Sequence, residues 1–376
     1  MKKKIIIIGA GPAGISTAIK LKQNNIDCLL IDAEKFPRNK TCGGGLSQKS
    51  IKLIENLLKK KIPNNIINTK TNKFKLTNNN HELCSIELDN NFYLTDRINL
   101  DNFLLNEYKS IGGKILENTK LKNIDIKNKK IICSNNKNFN YDILIGADGT
   151  NSIVRKYICK NNFKKALGIE TFIPIKDLNI NKDIIILDIG ILKDGYIWIF
   201  PEKDYYNIGL ATTYNENEKI NYQLILKNYL KNNFNYQKGI KIKGAFLPYD
   251  KCHNKYYKNN NSIFLIGDAY GLIDPLTGEG IYYALKSGEI ISSSIIESIN
   301  NNKNINLIYS KKIKALTKQI NRIYHLRIKF YKYRKLILNK ISQHTNFIKY
   351  YCDNEFHDNK NYYKFYKIIY NYKKSK

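Results

Sequence analysis

The chain has one Trp, one Met and seven Pro, and only six of its 63 basic residues are Arg, at positions 38, 97, 155, 322, 327 and 334. Asn, Ile, Lys and Tyr fill the space instead, the pattern of an AT-rich coding bias. Most of the formal net charge of +31 therefore reads as solvated surface lysine and not as a nucleic-acid interface. No apolar run approaches the eighteen or so residues of a membrane span, and the first apolar run leads straight into a glycine turn instead of a cleavage site. Seven Cys, at 28, 42, 84, 133, 159, 252 and 352, include no C-x-x-C pair and no metal-ligand spacing. A cytoplasmic, reducing setting is expected, with any membrane contact peripheral and no metal. No internal repeat or long linker is visible.

What is present is regular. At 376 residues and 43% hydrophobic content the chain is long enough for a large core or two compact domains. Residues 4–8 read as a strand, 9–14 as a glycine turn, 15–24 as a helix and 28–31 as a second strand, a βαβ beginning. Helices are expected over 47–60, 96–108, 152–157 and 280–300, and buried strands over 141–145 and 262–266. Between 64 and 93 short strand-like pieces alternate with Asn-rich turns, and strands are expected at 184–189, 196–200 and 206–211. Beyond Asn302 the chain reads as Lys- and Tyr-rich helix. From Lys303 onward 19 basic residues face only Asp353, Glu355 and Asp358, so a fifth of the chain carries +16 of the net charge.

The first motif is Gly9-Ala10-Gly11-Pro12-Ala13-Gly14 between a strand and a helix. Gly9 permits the tight turn, Gly11 lets backbone approach a pyrophosphate, and Gly14 lets helix and strand pack closely; the helix N-terminus offers free N–H groups to phosphate. Asp32 ends the second strand eighteen residues after Gly14, where an acid can hold an adenosine ribose. The fingerprint alone leaves the dinucleotide open.

Later motifs are similar to those of known flavoproteins. Tyr141 to Gly149, ending Ala147-Asp148-Gly149 and followed by Ser152 and Arg155, resembles the DG motif of the p-hydroxybenzoate hydroxylase fold. Phe264-Leu265-Ile266-Gly267-Asp268-Ala269, continued by Asp274-Pro275 and Gly278-Glu279-Gly280-Ile281, resembles the GD motif whose Asp contacts the FAD ribityl chain. Lys40-Thr41-Cys42-Gly43-Gly44-Gly45-Leu46 and Gly195-Tyr196-Ile197-Trp198-Ile199-Phe200-Pro201 resemble the CGGG loop and the YxWxFP strand of geranylgeranyl reductases.

That resemblance covers roughly the first 290 residues and implies an α/β protein. A Rossmann-type FAD-binding domain (1–75, 95–162 and 255–300) would carry an inserted strand-rich α+β substrate domain (76–94 and 163–254) and a basic helical C-terminal region (301–376). It implies FAD contacts at Gly9, Gly11, Pro12, Ala13, Gly14, Asp32, Cys42, Gly43, Gly45, Arg97, Leu121, Asp148, Gly149, Asp268, Pro275, Gly280 and Ile281. It also implies reduction of C=C bonds in a polyprenyl chain on a lipid, quinone or pigment precursor, with electrons from NAD(P)H or reduced ferredoxin. Period-two alternation places Tyr196, Trp198 and Phe200 on one face of a strand, either an ordinary packed face or an electron-rich wall for an isoprenoid. Cys42 is either an inert small hydrophobe or, beside the flavin, a proton donor or redox-sensitive gate. An FAD-dependent aromatic monooxygenase of the same fold is the alternative function. The basic C-terminal region suits an acidic redox partner such as ferredoxin, or an anionic headgroup layer.

Overall fold

A computed structural model of the full chain describes residues 3–159, 163–252 and 262–343, with 345, 349 and 352 beyond them. The expected boundaries at 162 and 254–255, and most of the chain after 343, lie outside the described residues.

A parallel five-stranded sheet is built from the apolar runs between glycine turns. Its order is β16 (Ile263–Leu265), β10 (Ile143–Gly146), β1 (Ile5–Ile8), β2 (Cys28–Ile31) and β6 (Lys114–Leu116). Strands β1, β10 and β16 are buried throughout, as parallel strands covered on both faces must be. Helices α1 (Pro12–Lys22), α3 (Arg97–Ser110) and α6 (Ile281–Asn301) pack on this unit, α1 directly against α6. At Gly288 that contact is so close that a Cβ would stand 2.2 Å from Ser16 Oγ.

The second sheet has eight strands: β15 (Lys243–Pro248), β11 (Lys165–Pro174), β14 (Tyr205–Tyr214), β13 (Gly195–Pro201), β12 (Ile184–Asp188), β4 (Thr69–Asn78), β5 (His81–Leu94) and β3 (Gly45–Leu46). The stretch read as short pieces is two long strands, β4 and β5, joined by Asn79 and Asn80, both at positive φ (50° and 62°). That is the left-handed geometry a tight hairpin needs, and Asn tolerates it. Because β4 starts at Thr69 and pairs along β12, residues 69–75 belong to this sheet and not to the first unit. One face of the sheet packs on helix α5 (Tyr222–Phe234) around Ile197, Ile199, Ile208 and Leu226. A third sheet of β7 (Leu121–Asp125), β8 (Lys130–Cys133) and β9 (Asn138–Asn140) flanks the first.

The C-terminal helices are not a detachable appendage. Helix α7 (Ile305–Lys332) sends Ile305, Tyr309, Ile313, Leu316 and Ile320 into the core of the parallel-sheet unit, and Ile323, Leu326 and Phe330 into a cluster against β4, β5 and β12. Tyr309 donates from its hydroxyl to the Leu265 carbonyl at 2.7 Å, and Arg327 pairs with Asp194 at 2.9 Å. Helix α8 (Arg334–Gln343) adds Ile337, Leu338 and Ile341 to the second cluster. Among the described residues no helix is long and apolar enough to cross a membrane.

Candidate active site: a nucleotide cradle opening onto an aromatic wall

The cradle begins where β1 meets α1. Gly9 has φ of +100°, and a Cβ there would lie 2.3 Å from the Ala147 carbonyl oxygen, so only glycine lets the turn pass under β10. Gly11 caps α1, a Cβ built there would meet nothing nearer than Arg38 Nη2 at 3.8 Å among the described residues, and Pro12 occupies the first helical position. The first-turn N–H groups of α1 thus face a space bordered by backbone. At the end of β2, Asp32 accepts from the Ala10 N–H at 2.6 Å and the Glu34 N–H at 2.9 Å, which fixes its carboxylate at the rim.

The opposite rim is also preorganised. Asp148 accepts from Ser152 Oγ at 2.5 Å and from the Ile153 N–H at 2.7 Å, so its carboxylate holds the start of α4 (Ile153–Ile158) and its backbone, with Gly149, forms the wall. Asp268 follows β16 and lies beside Gly280 at the start of α6. Among the described residues its carboxylate has one hydrogen-bond partner, Thr150, at 3.5 Å. Burial pushes its carboxyl above the usual range, opposed by Lys40 and Arg97. Arg97 forms a fork on Asp101, with Nε at 2.8 Å and Nη2 at 2.7 Å. Its side chain is 10% exposed, so it is a locked, largely enclosed cation and not a surface charge at a helix start.

The second sheet supplies the remaining wall. Tyr196, Trp198 and Phe200 project from one face of β13 with centroids 6.3 and 6.2 Å apart, and Phe92 extends the row at 6.0 Å from Phe200. Ile197 and Ile199 are buried on the other face, as alternation requires. The CGGG loop crosses the end of the row. Gly44 has φ of +74° and a Cβ there would overlap the Thr95 carbonyl at 2.0 Å, while a Cβ at Gly43 would lie 3.1 Å from the Phe200 ring and 3.4 Å from Trp198 Nε1. The Gly44 N–H donates to Cys42 Sγ at 3.4 Å. One continuous cavity of about 870 Å³ joins the cradle to this wall. Its apolar arm runs over Phe74, Leu88, Ile185 and Leu187.

Comparison with known proteins places this geometry. The FAD binding domain family matches residues 2–184, and the geranylgeranyl reductase catalytic domain matches residues 170–246. An uncharacterized protein of Methanosarcina barkeri is 34% identical over 325 residues, covering 83% of this chain and 81% of its own. The chain belongs to the geranylgeranyl reductase family. The chloroplastic geranylgeranyl diphosphate reductase of Arabidopsis thaliana is 27% identical over 80% of this chain and 67% of its own. A crystal structure of a geranylgeranyl bacteriochlorophyll reductase-like protein from Thermoplasma acidophilum shares the fold, with a TM-score of 0.79 at 19% identity over 91% of this chain and 90% of that one. As a geranylgeranyl reductase the protein is an FAD-dependent oxidoreductase acting on carbon–carbon double bonds. The residues present fit that cofactor: bare backbone at Gly11, first-turn N–H groups, and a half-buried Asp268 carboxyl with a single long hydrogen bond.

Of the residues singled out in the sequence, the cavity is bordered by Gly9, Gly11, Pro12, Ala13, Asp32, Cys42, Gly43, Gly45, Arg97, Leu121, Asp148, Gly149, Tyr196, Trp198, Phe200, Asp268, Gly280 and Ile281. Two are not on its wall. Gly14 sits beneath the turn, where a Cβ would be 1.9 Å from the Gly9 oxygen, and Pro275 lies behind the loop on a small separate void near Arg327 and Tyr331. Sequence reasoning missed Glu170, Asn207, Glu202 and Lys49. Glu170 accepts from the Cys42 N–H at 3.3 Å and from Asn207 Nδ2 at 3.3 Å, and Asn207 Oδ1 accepts from the Trp198 indole at 2.9 Å. Lys49 is buried against Glu279 at 2.9 Å, under the rings of Tyr282 and Tyr283. The available signal was a lone carboxylate or amide at an inward-facing position of an apolar strand. Among the described residues no group of three or more His, Cys, Asp or Glu is placed to hold a metal.

Proposed function

We propose that FAD lies along the cradle with its pyrophosphate at Gly11 and the first turn of α1, its adenosine ribose at Asp32 and its ribityl chain at Asp268. A polyprenyl chain then occupies the apolar arm against Tyr196, Trp198 and Phe200. The observation that carries this reading is that cradle and aromatic wall border one cavity. When bound and reduced, the flavin supplies a hydride. The protein's own task is to strip water from an unactivated alkene, align it, and stabilise the cationic character that grows at a tertiary carbon as a proton arrives. Aromatic faces stabilise such charge in a dry site. Cys42 closes the reacting end of the wall, held by its loop. Electrons reach the flavin from NAD(P)H or from reduced ferredoxin.

The test uses full-length, FAD-loaded protein reduced chemically under anaerobic conditions and offered a geranylgeranyl-bearing lipid. Mass spectrometry should show the chain gaining two hydrogens per bond, and Trp198→Ala should lower turnover on the order of tenfold or more while retaining flavin. Oxygen-dependent NAD(P)H consumption with a phenol, and no alkene reduction, would assign the site to an aromatic monooxygenase instead.

A further inference from the structure

Saturating a double bond needs a proton as well as a hydride, and the fold brings an enclosed carboxyl that borders the cavity to the aromatic wall. The register of the second sheet lines up Lys243 on β15, Glu170 on β11, Gly209 on β14 and Trp198 on β13. Gly209 has no side chain, so the indole of Trp198 lies across it; a Cβ there would come within 2.2 Å of the indole Cζ2. Indole Nε1 can only donate, which forces the Asn207 amide to turn its oxygen to Trp198 and its nitrogen to Glu170. The other Glu170 oxygen receives the Cys42 N–H. Both partners of Glu170 are donors, so neither can take a proton from it. A proton on this carboxyl must occupy a remaining lone pair, and Glu170 is 3% exposed and borders the cavity.

We propose that Glu170 is the proton donor of the reduction, delivering its carboxyl proton to the alkene held against Trp198. The assignment rests on the polyprenyl reading above. The Glu170 O–H bond breaks as a C–H bond forms at the less substituted alkene carbon. The hydride from the reduced cofactor forms the second C–H bond at the tertiary carbon. Glu170 is left as a carboxylate and regains its proton from water between turnovers. Burial holds its carboxyl above the usual range, against the Asn207 and Cys42 hydrogen bonds and the Lys243 charge on β15. Glu202, after β13, is the further carboxyl that interacts with it. Cys42 Sγ accepts from the Gly44 N–H at 3.4 Å.

Trp198 is the sole tryptophan, so indole emission reads this hydrogen-bond chain directly. In the FAD-loaded full-length protein, emission should change with pH as Glu170 titrates. Glu170→Gln should abolish that change, Glu202→Gln should retain it, and flavin content should stay at the wild-type level in both. Alkene reduction should fall on the order of 10²-fold or more in Glu170→Gln, the usual cost of losing a general acid. Glu170→Asp should restore part of the rate with a shifted pH profile. An emission curve unchanged by Glu170→Gln, or wild-type reduction in that variant, overturns the assignment. Wild-type protein that leaves polyprenyl chains unreduced, while the emission change still vanishes in Glu170→Gln, overturns the substrate reading and leaves the carboxyl's placement intact.

Discussion

Glu202, directly after the aromatic strand, should make the protein less stable as pH rises through neutrality. Glu202 is 4% exposed and accepts from Asn68 Nδ2 at 2.7 Å, while Asp96 adds negative charge nearby. Burial first, then that carboxylate, pushes it from 4.5 to about 7. The folded protein therefore keeps this proton through a window in which the unfolded chain has released it. The stabilisation is fully present below about pH 4.5 and is lost as pH rises through about 7. At roughly 1.4 kcal/mol per pH unit, the displacement corresponds to about 3 kcal/mol. Glu202→Gln keeps an oxygen for Asn68 but cannot ionise, so above neutrality the variant should be the more stable protein by up to that amount. Urea unfolding of both proteins at a series of pH values from about 5 to about 8 gives the difference free of other titrating groups. Parallel curves, with no divergence as pH rises, would show that water or a cation relieves this carboxylate and would refute the reasoning.

Other expectations address the site. Gly11→Val places a branched side chain where backbone must approach the pyrophosphate, and should leave a folded protein with strongly reduced flavin content by absorbance. Gly209→Ala inserts a methyl group 2.2 Å from the Trp198 ring and 2.3 Å from the Ile169 oxygen. It should cost about 1–3 kcal/mol of stability and shift the indole emission, with a loss of turnover larger than any loss of flavin.

The sequence made the nucleotide cradle readable because every part of it is local. An all-isoleucine strand, a glycine turn and a proline-initiated helix each state their geometry in adjacent residues, and Tyr196, Trp198 and Phe200 declare a common face by alternation alone. Glu170 and Asn207 were hidden because what makes them internal is supplied by other strands. Gly168, Ala211 and Ala245 are small, which leaves the sheet face open as cavity floor, and Gly209 makes room for the Trp198 indole. The β4–β5 hairpin was obscured by its Lys, Asn and Thr content; pairing with β12 overrides weak local preference there. Helix α7 shows the converse. It is the basic helix expected there, and beneath its charge the buried stripe at 305, 309, 313, 316, 320 and 323 has the three-and-four spacing of a packed helix face.

The packing of α7 changes how membrane association should be tested. Removing the chain after Asn302 would strip the core of Tyr309, Ile313 and Ile320, so lost lipid binding in such a truncation would report unfolding. The informative residues are on the opposite face, where Lys311, Lys314, Lys318 and Arg322 are exposed at helical spacing and Leu307 stands 71% exposed at the near end. Basic side chains close to an anionic surface contribute about 1 kcal/mol each. Replacing Lys314, Lys318 and Arg322 with Gln should thus weaken binding to phosphatidylserine-containing vesicles on the order of 100-fold at low salt, with thermal stability and flavin content unchanged. Because exposed charges are screened over about 8 Å at physiological salt, the wild-type protein should itself release as salt is raised, and neutral vesicles should not distinguish it from the variant. Equal, salt-insensitive sedimentation of both proteins with both vesicle types would assign this face to solvent, and a polyprenyl substrate would then have to reach the cavity by another surface.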